Sequence, residues 1–257
     1  QKNIEAVEKW AQKKEELEKK IRKSNFIKMK EINQVKFISI WIFLVPLVAL
    51  NICLILITQF HSLFPNQEHI LHSTIPYIDG GASISRTARV FPTYLIFKPA
   101  MFFTSYLLIK YWIYNKKIIL NFDSNNIFVN KILFFGIGSA ILLTIHSIFL
   151  GIHFDNSLYK LFRRIVILLF IIFEIVAQGY LVFSLYKIKE KIYKLINIKF
   201  LKLKRYLVTL LIIVAIASIP IISMPGYKFF KHALEWDFFV GVISFYLLTF
   251  FMWKKQI

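Results

Sequence analysis

Cysteine is almost absent: Cys53 is the only one in 257 residues. A single thiol excludes an intrachain disulfide and leaves the redox compartment open. Acids are scarce as well, 14 against 33 lysines and arginines, for a formal net charge of +19. The eight glycines and seven prolines form no linker between two cores, so one domain with an N-terminal appendage is the economical reading. The short signatures of hydrolytic and metal chemistry are missing too. There is no His-Glu-x-x-His, no His-x-x-x-His, no cysteine pair and no Gly-x-Ser-x-Gly. A secretory leader is not expected, because the first ~35 residues are charged throughout. The chain opens on Gln1 rather than Met, which points to a trimmed or longer native start.

What is abundant is apolar. Hydrophobic residues make up 57% of the chain, phenylalanine occurs 27 times and the mean hydropathy is +0.59. That is too apolar for an ordinary soluble domain. Six continuous apolar runs cover residues 37–59, 90–114, 131–151, 162–186, 206–224 and 237–253. Each has roughly the 17–25 residues that a helix needs to cross about 30 Å of hydrocarbon. The runs do not alternate, which argues against strands, and backbone groups in lipid must be satisfied within the segment. The expectation is an all-α integral membrane protein with six transmembrane helices.

Lysine and arginine give the orientation. If the N-terminus is cytoplasmic, one side collects 24 of the 33 basic residues, in segments 1–36, 115–131, 187–206 and 254–257, against seven on the other. The positive-inside rule then places both termini in the cytoplasm or its equivalent. Residues 2–36 read as a charged amphipathic helix, with acid-first pairs Glu5/Lys9, Glu15/Lys19, Glu16/Lys20 and Glu18/Arg22. Ile4, Val7, Trp10, Ala11, Leu17 and Ile21 form a thin apolar stripe, so this helix is expected on the membrane surface, against a protein partner, or simply solvated. The basic loop 187–205 suits a short interfacial helix on anionic lipid rather than a nucleic-acid surface. Trp41, Trp112, Trp236 and Trp253 fall near run ends, as an interfacial aromatic belt would have them.

Ionisable groups inside apolar runs are costly and so become functional candidates. Glu174 is central in the fourth run, with Gln178 one turn on. Lys98 and His146 are the intramembrane groups expected to pair with it, or else another polar group does. Gly136, Ser139 and Ala140 read as a small-residue packing face. Pro46, Pro99 and Pro220 should bend their helices or mark a turn. On the outer side lie His61, His69, His72, His153 and His232 with Asp79, Asp155, Glu235 and Asp237, a set with metal or acid–base potential but no ligand spacing. The longest polar interlude is 74–92. There Pro76 fixes an extended turn, Gly80-Gly81 permits positive φ, and Asp79 can close an Asx turn. Arg86 and Arg89 can pair with Asp79 or hold a lipid phosphate.

At Pro76-Tyr77-Ile78-Asp79-Gly80-Gly81 the chain resembles the Pro-Tyr-Ile-Ser-Asp-x-Gly signature of the DRAM-like family, autophagy modulators with relatives in lipid and GPI-anchor remodelling; the serine is missing here. His232-Ala233-Leu234-Glu235-Trp236 and the stretch from Ser244-Phe245-Tyr246 to Thr249-Phe250 resemble the same family's pattern in its sixth span, and Gln178 resembles a glutamine in its fourth. The resemblance implies a six-span protein of endomembranes or plasma membrane connected with lipid handling, and no defined catalytic mechanism. It also implies one outer polar cluster of Asp79, His232 and Glu235, with Arg86 and Arg89 nearby.

The reading is therefore a multi-pass protein that binds or organises membrane lipid at that cluster, more a binder than an enzyme. No cofactor, no metal and no nucleic acid are expected. Its rivals are an accessory subunit docking through 1–36, a lipid-modifying enzyme using the outer His/acid set, and a transporter dependent on Glu174.

Overall fold

The computed structural model describes residues 2–66, 68, 70–71, 74–152 and 156–255, with side chains for all of these but 2–9, 11, 12, 17, 19–28 and 221–223. The four acid-first pairs of the N-terminal segment each include a side chain outside this set, and His69, His72, His153 and Asp155 lie outside the described residues. The elements in order are α1 (Lys2–Gln59), a 3-10 turn (His61–Leu63), α2 (Pro76–Asp79), α3 (Ile84–Ala88), α4 (Thr93–Phe122), α5 (Val129–Phe149), α6 (Ser157–Lys187), α7 (Lys189–Ile192), α8 (Ile198–Ser223) and α9 (Lys228–Met252). Among the described residues the extended structure is limited to one isolated bridge, Ile196 with Trp253. The protein is all-α. Four stretches, Met29–Gln59, Val129–Phe149, Ser157–Lys187 and Lys228–Met252, are long and apolar enough to cross a membrane.

Each apolar run falls in one of the long helices, apart from residues 90–92, 150–151, 224 and 253, and each helix overruns its run at one end or both. α4 continues through Lys116 and Lys117 to Phe122. Lysine and asparagine do not stop a helix; glycine and proline do, and none occurs there. The same reasoning applies at the N-terminus. No proline or glycine precedes Pro46, and α1 runs unbroken for 58 residues, about 87 Å at the usual rise. Residues 2–36 are therefore helical, as expected, and continuous with the first apolar run. Among the described side chains the first buried ones are Ile32 and Val35, ahead of the expected boundary at 37. Pro46, Pro99 and Pro220 all lie inside helices.

α1 packs against α4 and α9, α4 against α5, α5 against α6, and α8 against α9, around one large core. Gly136 shows how sequence sets this packing. Its missing Cβ leaves the place taken by the Trp112 indole, so α4 and α5 approach closely. That contact also overturns the aromatic belt. Trp112, Trp236 and Trp253 are fully buried, and only Trp41 of the four is exposed. A large ring near a run end is drawn inward when a small residue or a backbone acceptor on the neighbouring helix offers it a seat.

The bundle has two chemically different ends. At one, Asn121 donates to Glu31 Oε2 at 2.8 Å, Lys187 pairs with Asp123 at 3.2 Å, and Lys191 donates to the Phe122 carbonyl at 2.8 Å. The C-terminal segment joins this end through Asn197 N–H to Met252 O and Lys254 N–H to Leu195 O, at 2.8 and 3.0 Å. The lysine-rich stretches thus gather together. Within the basic loop 187–205 the chain forms the short α7 and then the first turns of α8, which begins at Ile198. At the other end the segment 74–92, here called the strap, meets the start of α9.

Candidate functional site

The strap is folded by its own residues. Pro76 opens α2, where a missing N–H costs nothing, and Gly80 closes it in the left-handed conformation at φ 61°. Asp79 then ties the turn together. Its Oδ1 accepts from the Thr74 hydroxyl at 2.6 Å and the Gly81 amide at 2.8 Å, and its Oδ2 accepts from the Ile75 amide at 2.8 Å. Ser83 caps α3 by accepting from Arg86 N–H at 3.2 Å.

Two side chains of α9 fasten the strap to the bundle. His232 Nδ1 lies 2.9 Å from the Gly80 carbonyl, and Trp236 Nε1 donates to the Ala82 carbonyl at 2.9 Å. Tyr77 packs edge-on against Trp236 with ring centroids 4.8 Å apart, and Asn51 of α1 donates to its hydroxyl at 3.1 Å. Glu235, an exposed residue of α9 at the rim, turns its carboxylate to the Ile84 backbone. The structure so brings Asp79, Arg86, His232 and Glu235 to one end of the bundle, with distinct roles. Asp79 and His232 hold backbone. Neither Arg86 nor Arg89 reaches a described carboxylate within ion-pair distance, so neither pairs with Asp79. Beside Asp79 the strap leaves a cleft of about 390 Å³ lined by Ile70, Leu71, Thr74, Asp79, Gly81, Arg86 and Phe229.

The Thr74 hydroxyl, with the Gly81 and Ile75 amides, holds the Asp79 carboxyl below the usual carboxylate range against the opposing effect of burial. A folded value below the unfolded one means a stabilisation that is fully present above the unfolded value, near 4, and lost as pH falls through the folded value. Acidification below about pH 4 should therefore loosen the strap, read as protease cleavage near Ile78. Asp79→Asn places an amide against the Ile75 N–H, so that variant should be cleaved already at neutral pH and show no further acid step. Matching pH profiles for the two proteins would rule this out.

Beneath the strap, within the bundle, lies a second polar group. Glu174 of α6 is buried and accepts from Ser139 of α5 at 2.6 Å, from Gln178 of its own helix at 3.0 Å and from the Tyr246 hydroxyl of α9. The expected partners do not reach it. Lys98 donates instead to the Ile148 carbonyl at 3.2 Å, and His146 lies two turns beyond Ser139 toward the strap end. The geometric reason is register. Ser139 and Glu174 meet at mid-bundle, whereas Lys98 and His146 lie near the strap-side ends of their helices. Gly136 and Ala140 are packing residues, while Ser139 is both packed and bonded.

Sequence reading missed two participants. Lys204, counted as part of a basic loop, is fully buried, donates to Thr249 Oγ1 at 2.8 Å and lies 3.9 Å from the Phe245 ring centre. Tyr111 shares that threonine hydroxyl at 3.1 Å, and its ring meets Tyr246 at 4.9 Å. Lys204 stands two residues before the run 206–224, among Lys199, Lys202 and Arg205, and nothing in the sequence sets it apart from them. Only Tyr246 and Thr249 stood out beforehand, within the stretch from Ser244 to Phe250. Among the described residues no three of His, Cys, Asp and Glu converge as metal donors.

No family model, curated protein or solved structure matches this chain. The chemistry of these two polar groups thus carries the functional reading.

Proposed function

We propose that the chain crosses the bilayer six times, with the lysine-rich end and both termini on the cytoplasmic side, and binds or organises phospholipid at the strap. α4 and α8, the two long helices beyond the four most apolar, have 30 and 26 residues, enough for a span. The basic excess at one end supports the orientation.

One observation carries the lipid reading: the strap cleft sets an acid, Asp79, and a base, Arg86, beside apolar Ile70, Leu71 and Phe229. A zwitterionic headgroup offers a phosphate to the guanidinium and an ammonium to the carboxylate, with its acyl chains toward the apolar side. Pre-folding of the strap by Asp79, His232 and Trp236 lowers the ordering cost of that contact. Accordingly, dihexanoyl phosphatidylethanolamine should raise the thermal unfolding temperature of the purified protein. Arg86→Gln should weaken that response about tenfold, since a hydrogen bond to a charged group contributes roughly 1.5–3 kcal/mol. An unresponsive wild type, or an equal response in the variant, overturns the reading. The orientation is tested by placing single cysteines at Ile78 and Lys189 and labelling intact cells. Labelling of both from the same side would dismiss it.

A further inference from the structure

The strap has a second, chemically different face. At the C-terminal end of α5, Lys98 donates to the Ile148 carbonyl at 3.2 Å and Tyr159 donates to the Phe149 carbonyl at 2.8 Å. Gly151 follows, at φ 85°, and the Arg89 carbonyl sits where its Cβ would be, 2.7 Å away. That contact pins Arg89 against the end of α5. One turn beyond Tyr159, the Arg163 guanidinium lies 6.0 Å from the Tyr159 ring centre. Two polar atoms in this corner are buried without a hydrogen-bond partner, His146 Nδ1 and Arg163 Nε. Arg163 acts electrostatically on His146, whose Nδ1 is buried.

We propose that this corner, between Arg89 of the strap, the end of α5 and the first turns of α6, holds the phosphate of a net-anionic glycerophospholipid, gripped by Arg89 and Arg163 with Lys98 and His146 at its inner edge. Charge is the first reason. Burial, and then the neighbouring guanidinium groups of Arg163 and Arg86, hold Arg89 below the usual arginine range. No described carboxylate lies within ion-pair distance of Arg89, Arg163 or Lys98. The C-terminus of α5 offers only about half a negative charge, and Lys98 already occupies one of its carbonyls. Asp155, the one acid between residues 150 and 165, lies outside the described residues; a single carboxylate would still leave the corner cationic. Three or more cations gathered without anions are stabilised by an anion, and guanidinium forks match phosphate oxygens.

The surroundings choose the kind of phosphate. Phe149 packs on Tyr159 and Phe162, and Leu158, Leu161, Phe162 and Ile148 are exposed beside the arginines. Exposed apolar side chains flanking a cationic corner fit acyl chains beside a headgroup, as in basic pockets between membrane helices. Among the described residues no acid is there to meet a choline or ethanolamine ammonium, which favours a net-anionic headgroup, unlike that fitted by the Asp79/Arg86 cleft. This inference shares the membrane disposition proposed above but does not depend on the cleft.

The test uses the purified full chain and reads the thermal shift with dioctanoyl phosphatidic acid, dioctanoyl phosphatidylcholine or inorganic phosphate. Wild type should respond to phosphatidic acid at a concentration at least tenfold lower than for the other two. Arg163→Gln and Arg89→Gln should each weaken that response about tenfold, Arg163→Lys should fall between, and Arg205→Gln, at the opposite end, should behave as wild type. Unfolding temperatures without lipid, together with the charge-retaining Arg163→Lys, separate lost binding from lost fold. Equal responses to phosphatidic acid and phosphatidylcholine, or to inorganic phosphate, overturn the proposal, as do unchanged responses in both glutamine variants. If Arg86→Gln alone loses its response to phosphatidylethanolamine, the cleft stands and this site falls; if only Arg163→Gln and Arg89→Gln lose theirs to phosphatidic acid, the reverse holds.

Discussion

Replacing Gly80 with alanine is expected to release the strap from the bundle. Gly80 is in the left-handed region, which costs an alanine about 1 kcal/mol or more. The larger effect is steric. A Cβ there would stand inside the van der Waals shell of the Phe229 carbonyl, which belongs to helix backbone and cannot rotate away. Either the start of α9 moves or the strap lifts, and both break the His232 contact to the Gly80 carbonyl and the Trp236 bond to Ala82. The combined loss should be on the order of 3 kcal/mol, from two buried hydrogen bonds and the backbone strain. Limited proteolysis should then cut within 74–92 under conditions where wild type is intact, and the phosphatidylethanolamine response should disappear. Gly81→Ala is the comparison. Its added Cβ meets Oγ1 and Cβ of Thr74, a side chain of the strap itself rather than the backbone of α9, so the strap can yield locally at the cost of the Thr74–Asp79 bond and the effect should be smaller. A Gly80→Ala protein with wild-type protease resistance would show that the strap is not fastened where these contacts place it.

Removing the Glu174 side chain should be as damaging, for a different reason. Glu174→Ala leaves Ser139, Gln178 and Tyr246 aimed at an empty space that no cation fills. Unpaired buried donors and the cavity together should cost roughly 3 kcal/mol. An unfolding temperature lower by about 5–10 °C is expected for a chain of this size. Glu174→Gln keeps the volume and one acceptor oxygen, which can serve Tyr246 and Gln178, while its amide N–H faces Ser139 Oγ as a donor, so it should lose about 1 kcal/mol. Tyr246→Phe should behave like the glutamine variant. If alanine and glutamine prove equal, the carboxylate is not the knot that ties α5, α6 and α9 together. Loss of phosphatidylethanolamine binding in Glu174→Gln with an unchanged unfolding temperature would point to a role at the lipid cleft, which this geometry does not provide.

The helices were legible because length, continuity and apolar composition act locally, and no long-range contact was needed to see them. Their ends were not. α1 and α4 pass through charged residues that a hydropathy boundary cuts off, because lysine and glutamate end an apolar run without ending a helix. The Asx turn at Asp79 was readable, since it is made by residues within five positions of one another. The partners of Glu174 were not readable, because they come from helices 35 and 72 positions away. Three tryptophans near run ends were assigned to the interface by position alone, whereas burial depended on what the opposite helix offered each ring.

By itself the sequence determined an all-helical, strongly apolar chain, an uneven distribution of lysine, and a polar segment with its own turn chemistry. Each follows from forces acting over one or two turns of backbone, or from the solvent in which a segment is stable. Only the tertiary structure decided which polar groups meet: Glu174 with Ser139 and Tyr246, His232 and Trp236 with the strap, and Lys204 with Thr249. It also gathered Arg89 and Arg163 at the end of α5. Helix rotation and register set those meetings, and both are fixed by close packing at small residues such as Gly136, a condition shared between chains of contacts and invisible in any one run.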